Sequence, residues 1–96
     1  NADWNKAPGY YLILANQPGA DSWPMTAATF ILVYKQPSDT ASVLESLKFF
    51  DWAYHKGSKM ALDLNYVPMP DSVQQMVEKS WAQITDSSGK PVWTAR

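Results

Sequence analysis

The sequence contains no cysteine and a single arginine, Arg96, and each shortage excludes a kind of site. Without cysteine there are no disulfides, no cysteine-ligated zinc and no thiol catalysis. Without an internal arginine the chain has no guanidinium group that could hold an oxyanion with two hydrogen bonds. No apolar stretch approaches the roughly 20 residues that a membrane-spanning helix needs.

The chain also has no excess of positive or negative charge. Its eight basic and nine acidic residues are interleaved along the sequence and leave a net charge of -1. This balance gives no electrostatic basis for binding nucleic acid or an anionic membrane. Aromatic residues, in contrast, make up 14% of the 96 residues, more flat apolar surface than so short a chain easily buries. We expect some of them to lie at an interface. Because the chain starts at Asn1 rather than Met, we also expect a processed or trimmed product whose targeting information lies upstream.

The longest apolar run, residues 26–34, predicts a strand that is covered on both faces, because it lacks the alternation of a half-buried strand. Pro24 and Pro37 bracket it, outside the interior of the ladder. A shorter run, residues 10–14, predicts a second strand, and the turn-rich residues 16–22 connect the two. A strand of the first kind needs partners on both edges and helices on both faces, so we expect this chain to be part of a larger α/β protein.

Residues 41–56 predict a helix that ends at Gly57, with one apolar stripe for the core. Trp52 lies almost opposite that stripe, with Phe49 between, so the helix has a second apolar side that requires a partner. The stripe consists of Val43, Leu47, Phe50 and Tyr54.

Three further segments follow this helix. Residues 58–64 predict a short helix with Ser58 as its N-cap, and the prolines of residues 66–70 predict extended backbone. Asp71 is predicted to cap a second long helix, after which residues 86–91 form a turn, Trp93 docks and residues 94–96 are loose. The apolar stripe of this helix is Val73, Met76, Val77, Trp81 and Ile84.

No residue of the sequence is a convincing catalytic or metal-binding candidate. His55 has no carboxylate or nucleophile at a diagnostic spacing, and we interpret it as a solvated histidine at a helix end. The carboxylates are scattered and provide no acid/base pair. Residues 87–90 share letters with a phosphate-binding loop but lack its preceding strand and first glycine, so they predict only a turn. We therefore predict no enzyme, no cofactor, and no catalytic, phosphate-binding or metal-binding residue in this chain.

Several runs nevertheless resemble one family over essentially the whole chain. The sequence Phe-Phe-Asp-Trp-Ala-Tyr at residues 49–54 is the most specific, and residues 23–26, 70–73 and 86–91 are similar too. They resemble the C-terminal part of the periplasmic phosphate-binding proteins of phosphate ABC transporters. The resemblance implies a piece of a two-lobed, type II-like α/β binding protein, with one central strand, two main helices and a short helix. Residues 1–23 would be a remnant of the second lobe and the return crossover, and residues 24–96 the C-terminal part of the first lobe.

The same resemblance implies a periplasmic protein that captures inorganic phosphate by hydrogen bonds, without metal, and delivers it to ABC permease subunits. The family's phosphate ligands lie upstream of this stretch, so none is assigned here. An independent aromatic-rich interaction or carbohydrate-binding module is the alternative, and an enzyme is third. As an isolated fragment the chain is expected to form a homo-oligomer, through the predicted strand or the second side of the helix. The interface candidates are Phe49, Trp52, Thr29 and Ile31.

Overall fold

The computed structural model describes residues 2–94, which form three α-helices and three short 3-10 helices. The chain divides into two compact units, Asn1–Leu32 and Val33–Arg96, which we describe separately. Within the described residues no helix has the length and apolar character required to cross a membrane.

The first unit contains two 3-10 helices, Trp4–Lys6 and Pro8–Tyr10, and otherwise irregular backbone. Gly9 has a φ of 60°, a left-handed conformation that glycine adopts without strain. The predicted strand at residues 10–14 is wrong: its first residue belongs to the second 3-10 helix and the rest are irregular. In the connection that follows, the amide of Asn16 donates to the carbonyl of Pro24 at 3.0 Å.

The predicted central strand at residues 26–34 is also wrong, and residues 2–94 contain no strand, only an isolated bridge between Thr85 and Pro91. Instead of being covered, Ile31 and Leu32 are 60% and 95% exposed. A strand exists only where a neighbouring strand takes up its backbone hydrogen bonds, and the described chain offers no such neighbour. The expected α/β fragment is therefore observed as a mostly helical one.

The longest helix, α1, spans Thr40–Lys56 and agrees with the predicted helix to within one residue. It begins where the Asp39 carboxylate accepts a hydrogen bond from the Ser42 amide at 3.0 Å, as an N-cap does. Leu47 is completely buried, and the other members of the predicted stripe, Val43, Phe50 and Tyr54, pack against its cluster. The prediction of this apolar face is confirmed.

Two helices follow, α2 at Ser58–Asp63 and α3 at Asp71–Ser80, and α3 continues into a 3-10 turn at Trp81–Gln83. The predicted side-chain caps are wrong: Gly57 and Pro70 hold the N-cap positions, and neither helix has a side-chain cap hydrogen bond. The Ser58 hydroxyl instead donates to the Tyr54 carbonyl at 3.2 Å. The predicted apolar stripe is confirmed in part: Val73 is buried and Val77 packs against the core from α3. Trp81 and Ile84 are buried too, but they lie beyond the end of this helix.

The core of the second unit brings α1 together with the stretch that follows α3, in a cluster of Leu47, Trp81, Ile84 and Trp93. The predicted turn lies between the last two, where the amide of Asp86 donates to the carbonyl of Lys90 at 2.9 Å. The predicted docking of Trp93 is confirmed, because only 8% of its surface is exposed. The prediction of a loose end concerns exposed Thr94 and two residues, 95 and 96, that lie outside the described part.

Candidate functional site: a histidine between two carboxylates

His55 lies between two carboxylates, one from its own helix and one from α3. Its Nδ1 atom is 3.6 Å from Oδ1 of Asp51 and 3.6 Å from Oε1 of Glu78. One ligand atom from each of the three side chains lies within 4.8 Å of the other two. Two potential anions and one imidazole therefore meet at one position on the second unit.

Helix geometry and core packing explain this arrangement. Asp51 and His55 are four residues apart in α1, so they lie one above the other on the same face. Glu78 follows Val77, which packs against the core cluster from α3. The neighbouring aromatic rings connect the two helices as well, because Tyr54 stacks on Trp81 with a centroid distance of 6.2 Å.

The hydrogen bonding of this cluster is uneven. Nδ1 of His55 is 2.9 Å from the carbonyl of Asp51, a distance at which a protonated Nδ1 donates to that carbonyl. This hydrogen bond raises the pKa of His55 above its ordinary value, and the negative charges of Glu78 and Asp51 add to the effect. Oε1 of Glu78, in contrast, is buried and has no hydrogen-bond partner.

Only part of this site could be predicted from the sequence. The side chain of His55 is 58% exposed, as expected for a solvated histidine at a helix end. Its carboxylate neighbours were missed. The four-residue spacing from Asp51 was a readable signal, whereas the approach of Glu78 depends on how α3 packs and has no signal in the local sequence.

Carboxylates lie at the starts of α1 and α3, where backbone amides could otherwise attract a phosphate. Asp39 accepts from the amide of Ser42 at the start of α1, and Asp71 lies in the first turn of α3. A dianion at either helix start would meet the negative charge of a carboxylate. Hydrogen bonds from Ser42 lower the pKa of Asp39, and the bond from the Ser42 hydroxyl has a larger effect than the bond from its amide. This carboxylate therefore stays ionised in mildly acidic solution.

The turn that resembles a phosphate-binding loop in its letters is likewise closed on itself. One carboxylate oxygen of Asp86 accepts the amides of Ser88 and Lys90, at 2.8 and 3.0 Å. The amide of Gly89 donates to the carbonyl of Asp86 at 3.0 Å. The interpretation of this segment as a turn is confirmed, and these three amides are not available to an anion.

The predicted interface residues are all exposed. On α1, Phe49 and Trp52 stack with a centroid distance of 5.9 Å and an interplanar angle of 24°, and they are 60% and 46% exposed. In the first unit, Thr29 and Ile31 are exposed as well. That these four residues form an interface stays a prediction.

Comparison with known proteins identifies the relatives of the chain. The phosphate-binding protein PstS of Pasteurella multocida is 42% identical over 97 residues, which cover 97% of this chain and 27% of the relative. This chain is homologous to PstS. The PstS of Xylella fastidiosa is 42% identical over 82 residues, with coverages of 85% and 22%. That of Haemophilus influenzae is 40% identical over 81 residues, with coverages of 84% and 24%.

The chain thus spans about a quarter of the length of these PstS relatives. No protein-family model matches it. The resemblance found in the sequence is confirmed, and relatives named for binding agree with the prediction that the chain is not an enzyme.

Proposed function

We propose that this chain is the C-terminal part of a periplasmic protein that captures inorganic phosphate for an ABC transporter, and that its own role is structural. The observation that carries the proposal is the 42% identity to PstS across 97% of the chain. In this proposal residues 1–23 belong to the second lobe and the return crossover, and residues 24–96 complete the first lobe. The phosphate ligands lie in the remaining part of the protein.

The chemistry of the described residues supports a structural role. Carboxylates lie at the starts of α1 and α3 and inside the turn at residues 86–90, and their negative charge repels a dianion from the backbone donors there. The single arginine is Arg96, outside the described residues. Phosphate recognition therefore requires donors from another part of the protein.

The exposed apolar surface suggests what this chain contributes. Phe49 and Trp52 form a flat aromatic pair on the side of α1 that faces away from the core stripe. Ile31 and Leu32 expose further apolar surface in the first unit. In a full-length protein the rest of the binding protein would cover these groups. It would also supply the neighbouring strand that residues 26–34 lack here. Delivery to permease subunits belongs to that whole protein.

A chimera tests the proposal. The stretch of Pasteurella multocida PstS that aligns with this chain is replaced by residues 1–96, and phosphate binding is measured by calorimetry. We expect the chimera to bind phosphate with one site per molecule. The same PstS without the aligned stretch serves as the control and should not bind.

The isolated chain is titrated in parallel and should show no saturable binding of phosphate at micromolar concentration. Stoichiometric binding by the isolated chain would overturn the proposal, as would a cooperatively folded chimera that binds no phosphate. Saturable binding of an oligosaccharide by the chain alone, lost in Trp52→Ala, would instead support the alternative of an independent carbohydrate-binding module.

A further inference from the structure

Asp51, His55 and Glu78 carry an inference that is independent of the proposed function. We propose that these three side chains form a binding site for one divalent transition-metal ion, with Zn²⁺ as the representative ion. The site joins α1 to α3, since the first two residues come from one helix and the third from the other.

The distances between the ligand atoms suit such an ion. Zinc binds histidine nitrogen and carboxylate oxygen at about 2.0–2.2 Å, which places the ligand atoms of a tetrahedral site about 3.4 Å apart. Nδ1 of His55 is 3.6 Å from an oxygen of Asp51 and 3.6 Å from an oxygen of Glu78. Because Nδ1 points at the carbonyl of Asp51, the imidazole ring must turn away from that carbonyl before all three atoms can bind one ion.

The second observation is the unsatisfied oxygen of Glu78. Oε1 is buried without a hydrogen-bond partner, and the cationic group that an ion pair offers it is the protonated ring of His55, whose Nδ1 lies at 3.6 Å. A buried carboxylate oxygen without a partner is costly, and a bound cation would compensate that cost. This oxygen lies next to Nδ1 of His55, where the ion would be placed.

Binding requires one proton to move. Nδ1 now donates to the carbonyl of Asp51, so it must lose its proton before its lone pair can bind the ion. From the imidazolium form that proton goes to solvent, and from the neutral form it is replaced by one on Nε2. Zn²⁺ and protons therefore compete for His55, and the affinity for Zn²⁺ should fall as the pH is lowered.

The donor set selects the class of metal. An imidazole nitrogen suits zinc and its first-row neighbours, whereas Mg²⁺ and Ca²⁺ prefer ligand sets made only of oxygen. The two carboxylates balance the charge of a divalent ion. Because the His55 side chain is 58% exposed, water can complete the coordination.

Titration of the 96-residue chain with ZnCl₂ by calorimetry at neutral pH tests the site. We expect saturable binding of one Zn²⁺ per chain. Removal of a residue that merely supports a metal ligand weakens binding by about 10–100-fold, so Asp51→Asn, His55→Gln and Glu78→Gln should each weaken it at least tenfold. Glu45→Gln and Asp63→Asn remove exposed carboxylates elsewhere on the helices and should leave binding unchanged.

A second measurement does not depend on variants. His55 is the only histidine of the chain, so its ring signals in proton NMR report directly on metal binding. Zn²⁺ should shift these signals with the same saturation point as the calorimetric titration, and a hundredfold excess of Mg²⁺ should not reverse the shift. Absence of saturable binding, equal weakening by Glu45→Gln and Glu78→Gln, or reversal by Mg²⁺ would each overturn the proposal.

Discussion

The indole rings of Trp81 and Trp93 meet edge to face, with their centroids 5.1 Å apart and an interplanar angle of 88°. Tyr54 of α1 stacks on the first of these rings. Trp81 therefore links the longest helix to the stretch that follows the turn at residues 86–90. The core of this unit combines these aromatic contacts with aliphatic packing, because Leu47 is fully buried within the same cluster.

Trp93→Ala should destabilise the second unit strongly. The side chain is 8% exposed and fills one side of the cluster, and removal of a buried tryptophan costs about 3–5 kcal/mol. Urea unfolding followed by far-ultraviolet circular dichroism measures the loss. Trp23→Ala, at a side chain that is 69% exposed in the first unit, is the matched control and should change the stability by about 0.5 kcal/mol or less. Equal losses in the two variants would contradict the assignment of Trp93 to the core.

The two sides of α1 should respond differently to truncation. Leu47→Ala removes the fully buried side chain and should cost about 2–5 kcal/mol. Trp52→Ala removes a half-exposed ring whose main contact is Phe49, and such a pair contributes about 0.5–1.5 kcal/mol.

In the PstS chimera Trp52 should matter for how this stretch assembles with the rest of the protein. There Trp52→Ala should weaken docking of this stretch, as seen by limited proteolysis, whereas Tyr66→Ala, at an aromatic residue that is 71% exposed, should not. If both variants left the chimera unchanged, Trp52 would not be an interface residue.

Gly57→Ala should destabilise the junction between α1 and α2. A Cβ atom at this position would lie 2.5 Å from the carbonyl oxygen of Ala53, which accepts the amide of Gly57 at 2.9 Å. The φ of Gly57 is -84°, so the requirement for glycine is steric and does not come from a left-handed backbone. Overpacking of this kind costs about 1–3 kcal/mol. Gln75→Ala, on the exposed side of α3, is the control for thermal unfolding, and an unchanged melting temperature in Gly57→Ala would disprove the close contact.

Stability should fall in acid partly because of Asp39. Hydrogen bonds from Ser42 lower its folded-state pKa below the unfolded value of about 3.9. A group of this kind stabilises the fold fully above the unfolded pKa, and the contribution is lost as the pH falls through the folded pKa. Thermal unfolding from neutral pH down to about pH 2 measures the decline.

Asp39→Asn separates the charge from the cap, because asparagine still accepts the Ser42 amide but does not titrate. The variant should lose less stability below about pH 4 than the parent chain does. Asp86, whose pKa is also lowered, titrates in both proteins and cancels in the comparison. Identical acid profiles would show that Asp39 does not contribute.

The helices could be predicted because their signals are local. The spacing of Val43, Leu47 and Phe50 defines an apolar face within the helix itself, and Asp39 starts that helix through a neighbour three residues away. The cap predicted at Asp71 failed because the proline before it sets an extended backbone and becomes the N-cap. Local chemistry thus located the helices, with errors of one residue at the ends of α1 and α2, whereas α3 ends at Ser80, four residues before the last member of its predicted stripe.

The strand was predicted wrongly and the histidine site was missed because both depend on contacts between distant segments. Residues 26–34 have the composition of a strand, but a ladder is a property of two segments, and the second is missing from the described chain. Glu78 reaches His55 only because α3 packs beside α1, which no pattern within either helix determines. Sequence periodicity reports the face of an element, whereas the partner of that face depends on tertiary structure.

The separation of Leu47 and Trp93 along the chain, within one buried cluster, has a consequence for the rate of folding. A contact between such distant residues requires closure of a long loop, and the entropy of closure must be lost before the contact becomes favourable. α1 can form and dissolve many times while the stretch after α3 is still free. We expect the transition state to be reached when that stretch meets α1, so substitutions of Trp81 and Trp93 should slow folding, whereas changes in α2 should mainly speed unfolding.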